Sequence, residues 1–117
     1  MKHTESTNRK GDLAEYYAVT WLWDNGYEVF RNSGCSGPID MVAMDSKGEI
    51  ILIDVKTARL KPTADNPEGT INSRVRTKRQ KKLGVRFLLF NPINRSLRFV
   101  DHEKVLDNKE GDKIESN

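Results

Sequence analysis

Cysteine is nearly missing from this chain. Its 117 residues hold one, Cys35, so no internal disulfide can form and a reducing, cytoplasmic setting is expected. Histidine is almost as scarce: His3 and His102 lie far apart and have no cysteine company, which excludes a zinc cluster of ordinary spacing. Cys35 has no histidine near it in sequence and reads as a small residue in a glycine loop, not as a nucleophile. There is no long apolar run, so neither a membrane-spanning helix nor a secretory leader is expected. No internal repeat is visible. Charge is what the chain has in quantity: 32% of residues are charged against 36% hydrophobic. That is the composition of one globular domain with a heavily charged surface.

The net charge of +3 conceals an asymmetry. Residues 1–100 carry 17 basic and 11 acidic side chains, whereas residues 101–117 carry 3 and 6. Within 57–86 there are nine Lys or Arg and two acids, Asp65 and Glu68. An excess of that kind suits a polyanionic partner.

The strongest local signal is Pro38-Ile39-Asp40, followed fourteen residues after Asp40 by Asp54-Val55-Lys56. The stretch between reads as a hairpin: a strand over 38–44, a turn at Asp45-Ser46-Lys47-Gly48, and a second strand over 49–55. Side chains alternate along a strand, so Asp54 and Lys56 share a face. Asp40 falls on the partner strand at the end away from the turn, roughly opposite them. Two clustered carboxylates suit a hard divalent cation, and a nearby ammonium can orient water or stabilise developing negative charge. The same residues could instead form a surface ion pair. Against this, Ile50-Ile51-Leu52-Ile53 is apolar on both faces, as in a central, buried strand, where a charged pair needs a partner to offset its desolvation.

Around the motif, a helix running from before or near Asp12 to Asn25 stops at Gly26. It is apolar nearly all round, and Glu15 is the one charge between Asp12 and Asp24. Glu15 could close a capping box with Asp12 or point from the apolar stripe toward the carboxylates. A strand over 27–31 leads to Asn32-Ser33-Gly34-Cys35-Ser36-Gly37. This is either an ordinary connection or a flap whose Ser33 and Ser36 hydroxyls contact DNA phosphates. A long loop over 57–72 follows. A second helix over 74–83, capped from Asn72-Ser73 and ended by Gly84, carries Arg74, Arg76, Lys78, Arg79, Lys81 and Lys82 on all sides, with Gln80 as its neutral polar member. Charges of one sign all round a helix favour a polyanion nearby. Strands over 85–90 and 97–100 complete the order αβββαββ, a mixed central sheet flanked by helices at the border of α/β and α+β. Residues 1–8 read as a flexible start, 9–106 as the domain and 107–117 as a polar, disordered tail.

Glu15 on its helix, Gly37-Pro38-Ile39-Asp40, Asp54-Val55-Lys56, then a basic helix and a strand together resemble the PD-(D/E)xK nuclease superfamily over about residues 9–100. Lys10-Gly11-Asp12-Leu13-Ala14-Glu15 and Ser33-Gly34-Cys35-Ser36-Gly37 are similar to the archaeal-type Holliday junction resolvases, although those often carry Glu at the place of Asp54. Asp54-Val55-Lys56-Thr57-Ala58-Arg59-Leu60 looks like the central strand of intron-encoded homing endonucleases of the same fold. The resemblance implies a restriction-endonuclease-like core and a Mg²⁺-dependent endonuclease, with Mn²⁺ able to substitute. It implies action on DNA as a homodimer or higher oligomer. By resemblance Asp40, Asp54 and the backbone carbonyl of Val55 would hold the metal, and Glu15 a second metal or a water bound to it. Lys56 would orient the attacking water or stabilise the phosphorus transition state. Ser33, Ser36, Arg59, Arg74, Arg76, Lys78, Arg79, Gln80, Lys81 and Lys82 would contact DNA. Three functions compete: a structure-selective endonuclease on branched DNA, a sequence-specific homing or restriction-type nuclease, and a non-catalytic DNA-binding module. The intact set Glu15, Asp40, Asp54 and Lys56 argues against the last.

Overall fold

A computed structural model describes residues 7–34, 36–60, 70–71 and 75–102. Helix α1, Thr7–Asp24, packs Ala14, Ala18, Val19 and Leu22 against the sheet. These small and branched side chains recur at three- and four-residue spacing and form one buried stripe. The helix starts five residues before Asp12, so Asp12 and Glu15 are interior residues. A capping box between them is thereby excluded, and Thr7 and Asn8, expected to be frayed, are helical. Gly26, at φ 89°, takes the left-handed turn that ends the helix.

The main sheet has five strands in the order β1-β2-β3-β6-β7. Strand β1 is Glu28–Arg31, β2 is Met41–Met44 and β3 is Ile50–Thr57. The three are antiparallel in succession, with Met41 opposite Ile53 and Met44 opposite Ile50. The expected hairpin is present. The Asp45 carboxylate accepts hydrogen bonds from the N–H groups of Lys47 and Glu49, both at 2.8 Å, and Gly48 sits at φ 87°. This side chain closes its own turn. Strand β2 is shorter than expected because Pro38 has no N–H to give the ladder and Gly37, at φ 105°, bends the chain before it. Residues 38–40 therefore form a lead-in to the strand.

Strand β3 is central as expected, but its first residue, Ile50, is exposed at the rim and burial deepens toward Ile53 and Asp54. Its other neighbour is β6, Arg86–Phe90, running parallel, and β7, Leu97–Phe99, closes the sheet antiparallel to β6. Within the span expected to be loop, β4, Arg59–Leu60, pairs with β5, Thr70–Ile71, in a separate two-stranded ladder. The second helix, α2, is Lys78–Leu83, shorter than expected. It begins at Thr77, whose hydroxyl accepts from the N–H of Gln80 while the Gln80 side chain accepts from the N–H of Thr77. The expected cap at Asn72-Ser73, together with Arg74 and Cys35, lies outside the described residues, as does the tail from 103 onward.

The sheet has two unlike faces. Under α1, Met41, Ala43, Ile53 and Leu88 make the main core with Ala18, Val19 and Leu22. Full burial of each Leu, Ile or Met side chain here contributes about 1.5–3 kcal/mol. On the other face a smaller cluster of Ala58, Phe87, Leu89 and Val100 adjoins the polar ends of β3. His102 closes it: its Nε2 accepts from the N–H of Phe87 at 2.9 Å, and burial pushes its pKa down to about 4, which keeps the ring neutral and able to accept.

Candidate active site

Asp40 stands just before β2, and its N–H donates to the Ile53 carbonyl at 2.8 Å. That bond extends the β2–β3 register by one place and sets Asp40 opposite Asp54. The Asp40 Oδ2 accepts from the N–H of Val55 at 2.7 Å. Asp54 is 8% exposed. Its Oδ2 accepts from Gln80 Nε2 at 2.7 Å and lies 3.3 Å from Lys56 Nζ. Alternation along β3 brings Asp54 and Lys56 to one face, and the Lys56 ammonium lies 5.4 Å from the centre of the Phe87 ring. Gly37, Pro38, Asp40, Asp54, Lys56 and Arg79 border an open cavity of about 490 Å³ between this face and α2.

The carboxylates strain against each other electrostatically. Burial first, and then the hydrogen-bonded Asp54 carboxyl, push Asp40 up to about 7, against the opposing pull of the Val55 N–H. Negative charge is thus in excess at one point, held on hard oxygen atoms. Among the described residues, no group of three or more His, Cys, Asp or Glu side chains converges as a metal cluster.

Asp40, Asp54 and Lys56 are therefore brought together as the motif suggested. Glu15 stands beside them but not in the cavity. Its charge raises Asp40, yet its Oε1 is engaged by the Arg31 guanidinium at 3.0 Å, a surface pair in which Arg31 is exposed and Glu15 half-buried. Arg31 was missed by sequence reasoning, although the hairpin register could have found it: it pairs with Met41, next to Asp40. The Ser33–Ser36 loop is less free than a flap. Asn32 holds it through Nδ2 bonds to the carbonyls of Ser36 (2.7 Å) and Ile39 (2.9 Å), while its Oδ1 accepts from the N–H of Gly34. Ser33 and Ser36 are nevertheless exposed.

Two of the expected DNA-binding side chains change character. Gln80 is 6% exposed and its amide is spent inside the protein, so it does not face DNA from the surface. Arg76 lies before α2, half-buried, with its guanidinium donating to the Val85 carbonyl at 3.1 Å. It braces the start of β6. The basic surface of α2 is therefore Lys78, Arg79, Lys81 and Lys82, with Arg59 exposed on β4.

A mixed sheet that delivers two acids and a lysine from one hairpin to a cavity beneath a basic helix defines a nuclease of the PD-(D/E)xK class. Residues 6–115 match the family model "Archaeal holliday junction resolvase (hjc)", and the chain belongs to that family. Its reaction class is accordingly the hydrolysis of DNA phosphodiester bonds, its macromolecular partner is DNA, and nucleases of this type depend on a divalent cation. Among solved structures, a bacterial homing endonuclease, I-Ssp6803I, superimposes with a TM-score of 0.64 at 17% identity, covering 87% of this chain and 73% of that one. The Hjc Holliday junction resolvase of the archaeal hyperthermophile Archaeoglobus fulgidus superimposes with a TM-score of 0.51 at 24% identity, covering 80% and 74%. At these identities the likeness is one of fold. No curated protein sequence matches. No helix among the described residues is long and apolar enough to cross a membrane.

Proposed function

We propose that this domain is a Mg²⁺-dependent endonuclease selective for branched DNA, cutting four-way junctions as a homodimer. The observation that carries the proposal is the convergence of Asp40, Asp54 and Lys56 on one cavity bordered by the basic helix α2. The donor set fits a hard divalent cation, because Asp40, whose proton affinity is raised by burial and by the neighbouring Asp54 carboxyl, gains by taking a cation in place of the proton. Asp40, Asp54 and the Val55 carbonyl would hold it, and Mn²⁺ would substitute. When bound, the cation supplies Lewis-acid polarisation of the phosphate and a lowered pKa for the attacking water. In the reaction, water adds to phosphorus and one P–O ester bond breaks. Lys56 donates to the attacking water or to the phosphate oxygens as charge accumulates. Arg79 and its neighbours on α2 hold the backbone phosphates that flank the cut, and the exposed Ser33 and Ser36 approach them from the opposite loop.

The dimer reading rests on exposed apolar surface. Leu13, Tyr16 and Trp23 of α1 and Phe30 of the edge strand β1 are exposed. The apolar side chains of 87–90 add nothing to this surface, because they are buried in the core. Edge strand and aromatic face together suit a two-fold partner. The test is a strand-mapped digest of a four-way junction, a flap, linear duplex and single strand with Mg²⁺. Paired, symmetric nicks on the junction are expected. A fixed cut in linear duplex would favour the homing-type reading that the I-Ssp6803I likeness keeps as second choice.

The raised Asp40 pKa has a signed consequence. Without metal, the folded protein keeps a proton that the unfolded chain loses above its ordinary value of 3.8. This contribution to stability is complete below that value and is lost as pH rises through about 7. A divalent cation replaces the proton, so Mg²⁺ should raise the melting temperature more at about pH 8 than at about pH 5.5. Equal gains at both pH values would disconnect the cation from Asp40.

Glu15→Gln separates an ion pair from a role in the site. The surface pair with Arg31 is worth at most about 1 kcal/mol, so melting should stay near native. Cleavage should fall by roughly 10–100-fold, the usual cost of removing a group that supports metal ligands. Lost stability with unchanged specific activity would reduce Glu15 to a partner for Arg31.

A further inference from the structure

Gln80 spends its whole amide on three different parts of the site. Its Oε1 accepts from the N–H of Thr77 at 3.1 Å, closing the cap of α2. Its Nε2 donates to the Pro38 carbonyl at 3.0 Å and to Asp54 Oδ2 at 2.7 Å. A primary amide has two N–H donors, and both are used. Because the side chain is 6% exposed, water competes little for these bonds. The helix that carries it has six residues, too few to hold a position by its own hydrogen bonds. The same Oδ2 of Asp54 faces Lys56 at 3.3 Å. Without the amide, Asp54 would be free to turn fully toward Lys56, withdrawing both groups from the cavity.

We propose that Gln80 is a positioning residue for the cleavage site. It fixes the rotamer of the Asp54 carboxylate and ties it both to the Pro38 segment that delivers Asp40 and to the basic helix that seats DNA. One amide thus makes the geometry of the carboxylate pair depend on the seat of α2. The inference rests on the function proposed above, insofar as Asp54 is taken as a cation ligand.

The alternative is that Gln80 is only a helix cap, and Thr77→Ala imitates that loss while sparing the amide. The full chain is compared as wild type, Gln80→Met and Thr77→Ala. Mn²⁺ is titrated calorimetrically into the DNA-free protein, and kcat and KM are measured on a four-way junction. Gln80→Met should lower Mn²⁺ affinity and kcat by roughly 10–100-fold while KM stays within about threefold. Thr77→Ala should stay within about threefold of wild type in all three. An unchanged Gln80→Met overturns the assignment, and so does an equal loss in both variants. Should the Met variant fail to fold, Gln80→Asn keeps an amide but withdraws it by one methylene, and the same losses are expected of it. A wild type that binds no Mn²⁺ overturns the functional reading and this inference with it. A wild type that binds Mn²⁺, with an indifferent Gln80 variant, overturns the inference alone.

Discussion

Asp54→Asn and Lys56→Ala are each expected to cut the cleavage rate by roughly 10³-fold, the scale of losing a preorganised electrostatic group at a transition state. They should differ in every other respect. Asn is nearly isosteric with Asp, and its carbonyl oxygen can still accept from Gln80, so no buried donor is orphaned. The more drastic Asp54→Ala would leave the Gln80 amide unsatisfied, at about 1–3 kcal/mol. Asp54→Asn also removes one of two opposed carboxylates, so the metal-free protein should melt higher near neutral pH, and the gain on adding Mg²⁺ should shrink. Lys56→Ala keeps both carboxylates and should keep the gain, although Asp54 loses its 3.3 Å counter-charge. Junction binding, measured with Ca²⁺ in place of Mg²⁺, should be nearly unchanged in Asp54→Asn. Full activity in either variant would remove these residues from the site.

Neutralising Lys78, Arg79, Lys81 and Lys82 together should weaken binding to junction, flap and duplex by similar factors. Bonds to phosphate carry affinity without sequence information. The slope of log affinity against log salt should flatten by roughly 0.9 for each duplex phosphate that is no longer neutralised. Arg76 is not in this set. Because its guanidinium donates to the Val85 carbonyl, Arg76→Gln should lower the melting temperature more than it lowers DNA affinity. If the quadruple variant loses one DNA and keeps the others, α2 reads bases and the homing-type function gains.

Whatever depends on short-range rules is legible in the sequence. The hairpin can be read because Asp45 and Gly48 make a turn of known chemistry between apolar runs, and a two-residue period then dictates that Asp54 and Lys56 share a face. The stop of α1 at Gly26 and of α2 at Gly84 follows from the left-handed conformation that glycine takes at no steric cost. Membership of the nuclease superfamily is legible for the same reason, since the motif is spaced along one hairpin.

The start of α1 is not legible, because the stretch before Asp12 has no apolar stripe to announce it, and only continuity with the packed helix makes Thr7–Gly11 helical. Reading α2 as a helix basic all round fails because charge does not say where a helix begins: Thr77 and Gln80 cap it, and Arg76 is left outside. The sequence by itself determined the hairpin, the acids and lysine it delivers, and the excess of positive charge, because each is a matter of neighbours in the chain. Only the tertiary structure decided that Gln80 belongs to Asp54, that Arg31 holds Glu15 and that Arg76 serves the sheet. These pairings join residues 9 to 26 positions apart, and their hydrogen bonds exist only once the sheet and helices have packed.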